Sequence, residues 1–261
     1  MAALARTACL LAAFTLTASA ARAYILPSGF LLNKYYKKRP SKLKSYKVEL
    51  QTSLVGGQYE GGEVSGKEVW YVALPMKFRS ELELPGGTRI VVVSKGRRYT
   101  IEPGQKGEAK MEPAMFDPVI NLLARGPVKG KKKSFRAGDL LLSDLETAGI
   151  DVKVRGLTRM GDHIAVIIGA KEGEEDKPQL WIDKDTFLPL RYLSGKEAGG
   201  IDVRFSDFIT MERRRWLPGK IEFYRDNKLF KMQEVKDVDL KWKPDMSLFA
   251  PPKPANKDAR Q

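Results

Sequence analysis

Cysteine and histidine are nearly missing from this chain: Cys9 and His163 are the only residues of their kinds among 261. Cys9 stands at the edge of an N-terminal apolar stretch, so the remainder has no thiol for a disulfide scaffold, a cysteine nucleophile or a thiolate metal site. One histidine leaves no second imidazole for a metal centre or an acid–base pair. No metal and no cofactor are expected, and His163, in a hairpin turn (Arg159 to His163), is read as structural. Neither a G-x-S-x-G nucleophile elbow nor a phosphate-binding glycine loop at a helix start occurs. Asp183 and Asp185 lie close enough to suggest the carboxylate pair of a glycosidase. They flank a turn, however, where Asp ordinarily caps backbone N–H groups. No catalytic residue is assigned, and the chain is not expected to be an enzyme.

Long apolar runs are also lacking. The longest, Ala8 to Ala18, follows Arg6 and precedes Ala21-Arg22-Ala23. It is too short to span a bilayer and has the layout of a cleavable export signal. The expected leader is residues 1–23, with Tyr24 as the mature start; a cut after Ala20 is nearly as good. Cys9 lies at the start of the apolar run, whereas a lipidated cysteine follows it, so lipidation is not expected. The destination is periplasmic, and a monomer is expected.

What the chain has in excess is positive charge, 46 Lys and Arg against 32 Asp and Glu, a net +14. In an exported protein this favours anionic lipid headgroups or acidic glycans over nucleic acid. No nucleic-acid partner is expected, although basic and aromatic residues interleave at 214–225; half-buried strands look the same. Peripheral contact with an anionic membrane surface is compatible with four lysines between Gly126 and Lys133, among them Lys129. A simply solvated basic surface accounts for the charge equally well.

The pattern of side chains is mainly β. Residues 28–39 read as an amphipathic helix stopped by Pro40. Short Val-, Ile-, Tyr- and Trp-rich segments follow at 44–55, 64–74, 77–84, 88–94 and 97–102, punctuated by Gly and Pro. In the third, Phe78, Ser80, Leu82 and Leu84 alternate with Lys77, Arg79, Glu81 and Glu83, which marks a sheet with one dry face. Helices are predicted at 112–125 and 137–148, and strands resume at 150–158, 162–170, 178–184, 188–194, 200–209, 216–225 and 228–242. The tail 250–261 is rich in Pro and Lys and is expected to be disordered. The expectation is one domain over 24–249, a strongly curved antiparallel sheet or unclosed barrel of about eleven strands with an N-terminal helix and a helical lid. Such a sheet either fills its interior with its own side chains or holds an apolar ligand. The pattern alone leaves both open.

Four blocks, in order, resemble the outer-membrane lipoprotein-sorting (LolA/LolB-like) family: VWYVALPMKFRSELELPGGTRIVVVSKGRRYTIEPG at 69–104, FDPVINLLAR at 116–125, LWIDKDTFLPLRY at 180–192 and MSLFAPP at 246–252. The resemblance implies an unclosed barrel whose lid covers a cavity that shields the acyl chains of lipoproteins or lipids in transit. It also implies an inner-membrane exporter and an outer-membrane acceptor as partners. In this frame Phe78, Leu82 and Leu84 line the cavity by alternation, with Ile90, Val92, Tyr99 and Ile101 on the next hairpin as further candidates. The lid contributes Phe116, Ile120 and Leu123. The family's lid-bonding arginine falls at Leu74, so lid control must differ. An envelope sensor or partner-binding module that keeps the fold without carrying lipid is the alternative.

Overall fold

The computed structural model describes residues 25–40, 42–56, 62–105, 109–130, 134–211 and 213–252. The expected leader, Lys131 to Lys133 of the basic loop and the tail from residue 253 lie outside the described residues.

Helix α1 (Ser28–Lys37) comes first in the chain, and Leu31, Leu32 and Tyr35 share its buried face. Six strands follow as a meander: β1 (Ser45–Val55), β2 (Glu63–Ala73), β3 (Lys77–Leu84), β4 (Gly87–Ser94), β5 (Arg97–Ile101) and β6 (Lys110–Pro113). Helix α2 (Pro118–Ala124), the small hairpin β7 (Val128–Lys129) and β8 (Ser134–Phe135), and helix α3 (Ala137–Thr147) interrupt it. The second run comprises β9 (Asp151–Met160), β10 (His163–Gly169), β11 (Gln179–Asp183), β12 (Pro189–Leu193), β13 (Ile201–Ser206), β14 (Ile209–Met211), β15 (Arg214–Leu217), β16 (Lys220–Arg225) and β17 (Lys228–Asp239). Short 3-10 turns lie at Lys196–Ala198 and Met246–Phe249.

Thirteen strands form one antiparallel sheet in the order β6-β5-β4-β3-β2-β1-β17-β16-β13-β12-β11-β10-β9. The two meanders join where β1 pairs with β17, and β6 and β9 are left as edges, so the strongly curved sheet does not close. Among the described residues, no helix is long and apolar enough to cross a membrane.

Two elements differ from expectation. Residues 112 and 113, predicted as the start of a helix over 112–125, belong to β6 and pair with β5 instead. The helix begins only at Pro118, where Asp117 Oδ1 accepts the Val119 and Ile120 N–H groups at 3.0 Å each and Pro118 takes the first-turn position that needs no donor. The predicted strands at 200–209 and 216–225 are each broken, because β14 and β15 leave the main sheet as a separate hairpin. Gly219 permits the return: a Cβ there would lie 2.3 Å from the Asp207 carbonyl oxygen. The excursion places Trp216 against Tyr46, ring centroids 5.3 Å apart, and inside the core.

All three helices pack on the concave face. Gly138 allows α3 to lie directly on α1, since a Cβ would meet the Asn33 backbone nitrogen at 2.6 Å. Leu31 and Leu32 of α1, Leu122 and Leu123 of α2, and Leu141 and Leu145 of α3 join residues from both meanders in one apolar cluster. The interior is therefore largely filled by the protein's own side chains. On the convex face Trp181, Ile167 and Leu190 form a smaller cluster. The Met246–Phe249 turn packs against β3 and β4, with Arg79 donating to the Leu248 carbonyl at 3.1 Å.

Candidate functional site

Helix α2 is short, and none of its last carbonyls can find a partner within the helix. Donors from elsewhere supply every one. Tyr36 Oη donates to Asn121 O at 2.9 Å, Arg39 Nη2 to Leu122 O at 2.9 Å, and Tyr46 Oη to Leu123 O at 2.8 Å. The Met76 N–H donates to Ala124 O at 2.8 Å and Arg39 Nη1 to Arg125 O at 2.7 Å. Arg39 is buried and sits over the Tyr36 and Trp216 rings, 4.9 and 5.2 Å from their centroids. A cation at a helix C-terminus is favourable on dipole grounds as well. Burial outweighs the pull of Arg39 on Tyr35 and raises its hydroxyl to about 12, so it stays protonated. Asp144 of α3 completes the anchor, pairing with Arg125 and accepting from Asn121 Nδ2 at 3.0 Å.

The other end of α2 is held more lightly. Asp117 faces Arg98 of β5 across 3.5 Å, and the Ala114 N–H donates to Gly96 O at 3.0 Å. Phe116 reaches across the mouth to Tyr192 of β12, centroids 5.2 Å apart. Met115 is 84% exposed. Beneath this end opens a groove of about 280 Å³, with Met76, Val93, Ala114, Phe116 and Ile120 as apolar lining and Arg98, Asn121, Arg125 and Asp144 as polar rim.

Beside the groove lies a second pocket of about 90 Å³, which shares Arg98, Asp117 and Ile120 with it. Its polar wall is built on Glu68. Ser80 Oγ and Trp70 Nε1 donate to Oε1 at 2.5 and 2.8 Å, and Thr52 Oγ1 and Gln233 Nε2 to Oε2 at 2.6 Å each. Lys231 Nζ stands 4.0 Å from Oε2. Burial raises the Glu68 pKa, but Lys231 and the bonds from Ser80, Thr52 and Trp70 outweigh it and hold the carboxyl below its ordinary range. A charged carboxylate thus persists within an apolar concavity because its lone pairs are satisfied.

Phe78, Leu82 and Leu84 are buried on the concave face as expected from alternation. Phe78 lines the second pocket and packs against Trp70, while Leu82 and Leu84 continue the same row toward the strand end. Ile90, Val92, Tyr99 and Ile101 have the opposite parity from that expected. Phe78 pairs with Val93 and Ser80 with Val91, so Val91 and Val93 face inward. Val92 pairs with Arg79 and Tyr99, and Ile90 with Glu81 and Ile101, all on the convex side. The structure brings Phe116 to the groove, Ile120 to both cavities and Leu123 into the core above them.

Leu74 lies in the β2–β3 turn, its Cβ beside Gly126 just past α2. Arginine contact with the lid carbonyls comes instead from Arg39, which the sequence reading missed, as it missed Glu68, Arg98, Asp117 and Gln233. The Asp117-Pro118 pair carries an N-cap signature that was available in the sequence; nothing local marks the others. Asp183 is a turn cap: it accepts from Thr186 N, Thr186 Oγ1, Asp185 N and His163 Nδ1 at 2.5, 2.7, 3.0 and 2.7 Å. Burial opposes its ionisation, yet these bonds hold its pKa below the usual value.

This open, strongly curved antiparallel sheet with helices on one face is the fold seen in solved structures of LolA-like proteins. The chain is similar to a putative outer membrane lipoprotein-sorting protein domain of Vibrio parahaemolyticus, with TM-score 0.52 and 8% identity over 85% of this chain and 95% of that one. It is similar to a DUF1329 family protein of Desulfovibrio piger as well, with TM-score 0.50 and 13% identity over 87% and 98% of the two chains. A LolA superfamily protein of Nitrosomonas europaea aligns over 87% of this chain and 98% of that one, at 14% identity and TM-score 0.49. A scan against family models and a search of curated proteins find no match.

Proposed function

We propose that the protein is an exported, non-enzymatic carrier that holds the acyl chains of lipoproteins or lipids beneath α2 and moves them through the periplasm toward the outer membrane. The observation that carries this reading is the apolar groove under the lightly held end of α2, rimmed by the exposed Met115. Each methylene buried there contributes about 0.8 kcal/mol. At about 280 Å³ the groove is small for a whole chain, since ligand pockets usually span roughly 300–1,000 Å³. Loading therefore requires the Asp117 end of α2 to lift, which exposes the inward row Phe78, Leu82, Val91 and Val93. The Arg39 end stays as the hinge. The basic surface, including Lys129, suits a brief approach to anionic headgroups at the donor and acceptor membranes, where exporter and acceptor proteins exchange the cargo.

Native mass spectrometry with organic extraction, on mature protein purified from an envelope fraction without detergent, tests this reading. A co-purifying acyl species, or stoichiometric binding of a fluorescent fatty-acid probe by the delipidated protein, is the expected result. Protein that carries no acyl species and binds no such probe would transfer the assignment to a partner-binding module on the same fold.

A further inference from the structure

Fifteen cations fall in three short stretches that hold no carboxylate: six over 34–44, six over 125–136, and Arg213 to Arg215. The fold draws the three stretches together. Arg214 Nη1 donates to the Lys37 and Arg39 carbonyls at 2.9 and 3.1 Å, which sets the β14–β15 turn against the end of α1. Arg39 in turn donates to Arg125 O, and Arg136 shares a surface hollow with Lys34 and Lys37. Among the described residues, Arg125 and Arg136 are the cations of this group that pair with a carboxylate, Asp144 and Asp139 respectively. Like charges gathered in this way repel one another, and an anionic surface relieves the repulsion.

Apolar side chains stand among the cations. Phe30, Lys34 and Lys37 follow at i, i+4 and i+7 on one stripe of α1, over about 10 Å of its length. Phe30 is 44% exposed despite its edge contact with Phe187, and the Lys34 ammonium lies 5.1 Å from its ring centroid. Val128 and Phe135, both exposed, pair across the β7–β8 hairpin, and Phe135 directly precedes Arg136.

From this convergence we infer that the pole built by α1, the β7–β8 hairpin and the β14–β15 turn is a docking face for an anionic phospholipid bilayer. Its cations meet headgroup phosphates, and Phe30 enters the interfacial layer. The inference rests on the carrier reading for its envelope setting and gives the membrane approach a definite place on the molecule. Nine of the fifteen cations are lysines, a residue depleted at protein–protein interfaces. Basic side chains around an exposed aromatic are instead the composition of surfaces that settle among anionic headgroups. Arg125 links the face to the groove, since it also lines the groove's polar rim.

Vesicle flotation of the mature protein tests this, comparing phosphatidylcholine alone with phosphatidylcholine carrying about 30% phosphatidylglycerol. The mixed vesicles should be bound at least about a hundredfold more tightly, and the difference should shrink as salt is raised. Lys37→Gln/Lys129→Gln/Arg213→Gln takes one cation from each stretch and should weaken binding to mixed vesicles about thirtyfold. Phe30→Ser should weaken it about fivefold. Lys171→Gln/Lys196→Gln/Lys228→Gln removes the same charge from exposed positions near the hollow lined by Gly173, Lys196 and Asn227. Lys228 is separated from the β14–β15 hairpin by the length of β16, so this second triple variant should stay within about threefold of wild type. Because the lipid comparison on the wild type stands by itself, a poorly folding variant does not remove the test. Equal binding of the two vesicles by the wild type overturns the bilayer as occupant and leaves an acidic protein in its place. Equal losses in the two triple variants overturn the face, since net charge alone would then drive binding. A fluorescent fatty-acid probe read in parallel keeps the carrier reading separate: vesicle binding without probe binding removes the carrier and not the face.

Discussion

Glu68 shows how far one side chain can depend on its neighbours. Four donors from β1, β2, β3 and β17 converge on its two oxygens, and Lys231 adds a longer-range attraction. Glu68→Gln keeps the shape but sets an NH₂ group against donors already aimed at a carboxylate. The variant should lose about 3 kcal/mol of unfolding free energy at neutral pH, measured by urea denaturation. The sign of the pH dependence follows from the lowered pKa of the folded state. When folding depresses a carboxyl's pKa, its stabilisation is present above the unfolded value, ordinarily 4.5 for Glu, and is lost as the pH falls through the folded one. The gap between wild type and Glu68→Gln should thus be constant from pH 7 to about pH 5 and shrink in more acidic solution. A gap that stays constant into strong acid would mean that Glu68 does not carry its charge in the folded protein.

At the scale of elements, α2 is asymmetric: five consecutive carbonyls are tied at its C-terminal end, while its N-terminal end relies on an Asp cap and one 3.5 Å ion pair. Arg39→Ala removes two of the donors and should cost about 2–3 kcal/mol. Hydrogen exchange in residues 118–125 should accelerate more than in β1 to β3. Uniform acceleration across the chain would show that Arg39 supports the whole fold and not the lid in particular. This element also separates what a sequence can disclose from what it cannot. The α2 helix was legible from its apolar run, but neither its start at Asp117-Pro118 nor its partners were read, the partners because Tyr36, Arg39 and Tyr46 reach it only through the tertiary fold. The parity of β3 was legible because charged and apolar residues alternate there. In β4 the run Ile90 to Val93 is apolar on both faces, so alternation is silent. Only the Leu84–Gly87 pairing about the two-residue Pro85-Gly86 turn sets which face is which. The convex side of this hairpin is covered by the C-terminal turn, which allows Val92 to be buried there as completely as a core residue.

For the molecule as a whole, the two meanders were visible in the sequence as strand runs on either side of a helical interruption, and they could have been two small domains. What joins them, the pairing of β1 with β17, links segments nearly at opposite ends of the described chain and has no local signature. The helices then seal the joint. Trp70 from the first meander, Trp216 from the second and leucines from all three helices belong to the same apolar cluster. A chain of this length ordinarily exceeds the range, up to about 150 residues, in which one cooperative transition is the rule. Here the shared core and the β1–β17 seam leave neither half a closed hydrophobic interior of its own. Equilibrium unfolding should therefore be a single transition. Two variants test this, one retaining Trp70 as its only tryptophan and the other retaining Trp216. Once each fluorescence curve is compared with the far-UV circular dichroism of the same variant, both pairs should coincide in midpoint and slope. If within either variant the fluorescence and circular dichroism curves separate, the meanders unfold independently and the lid spans two units instead of closing one.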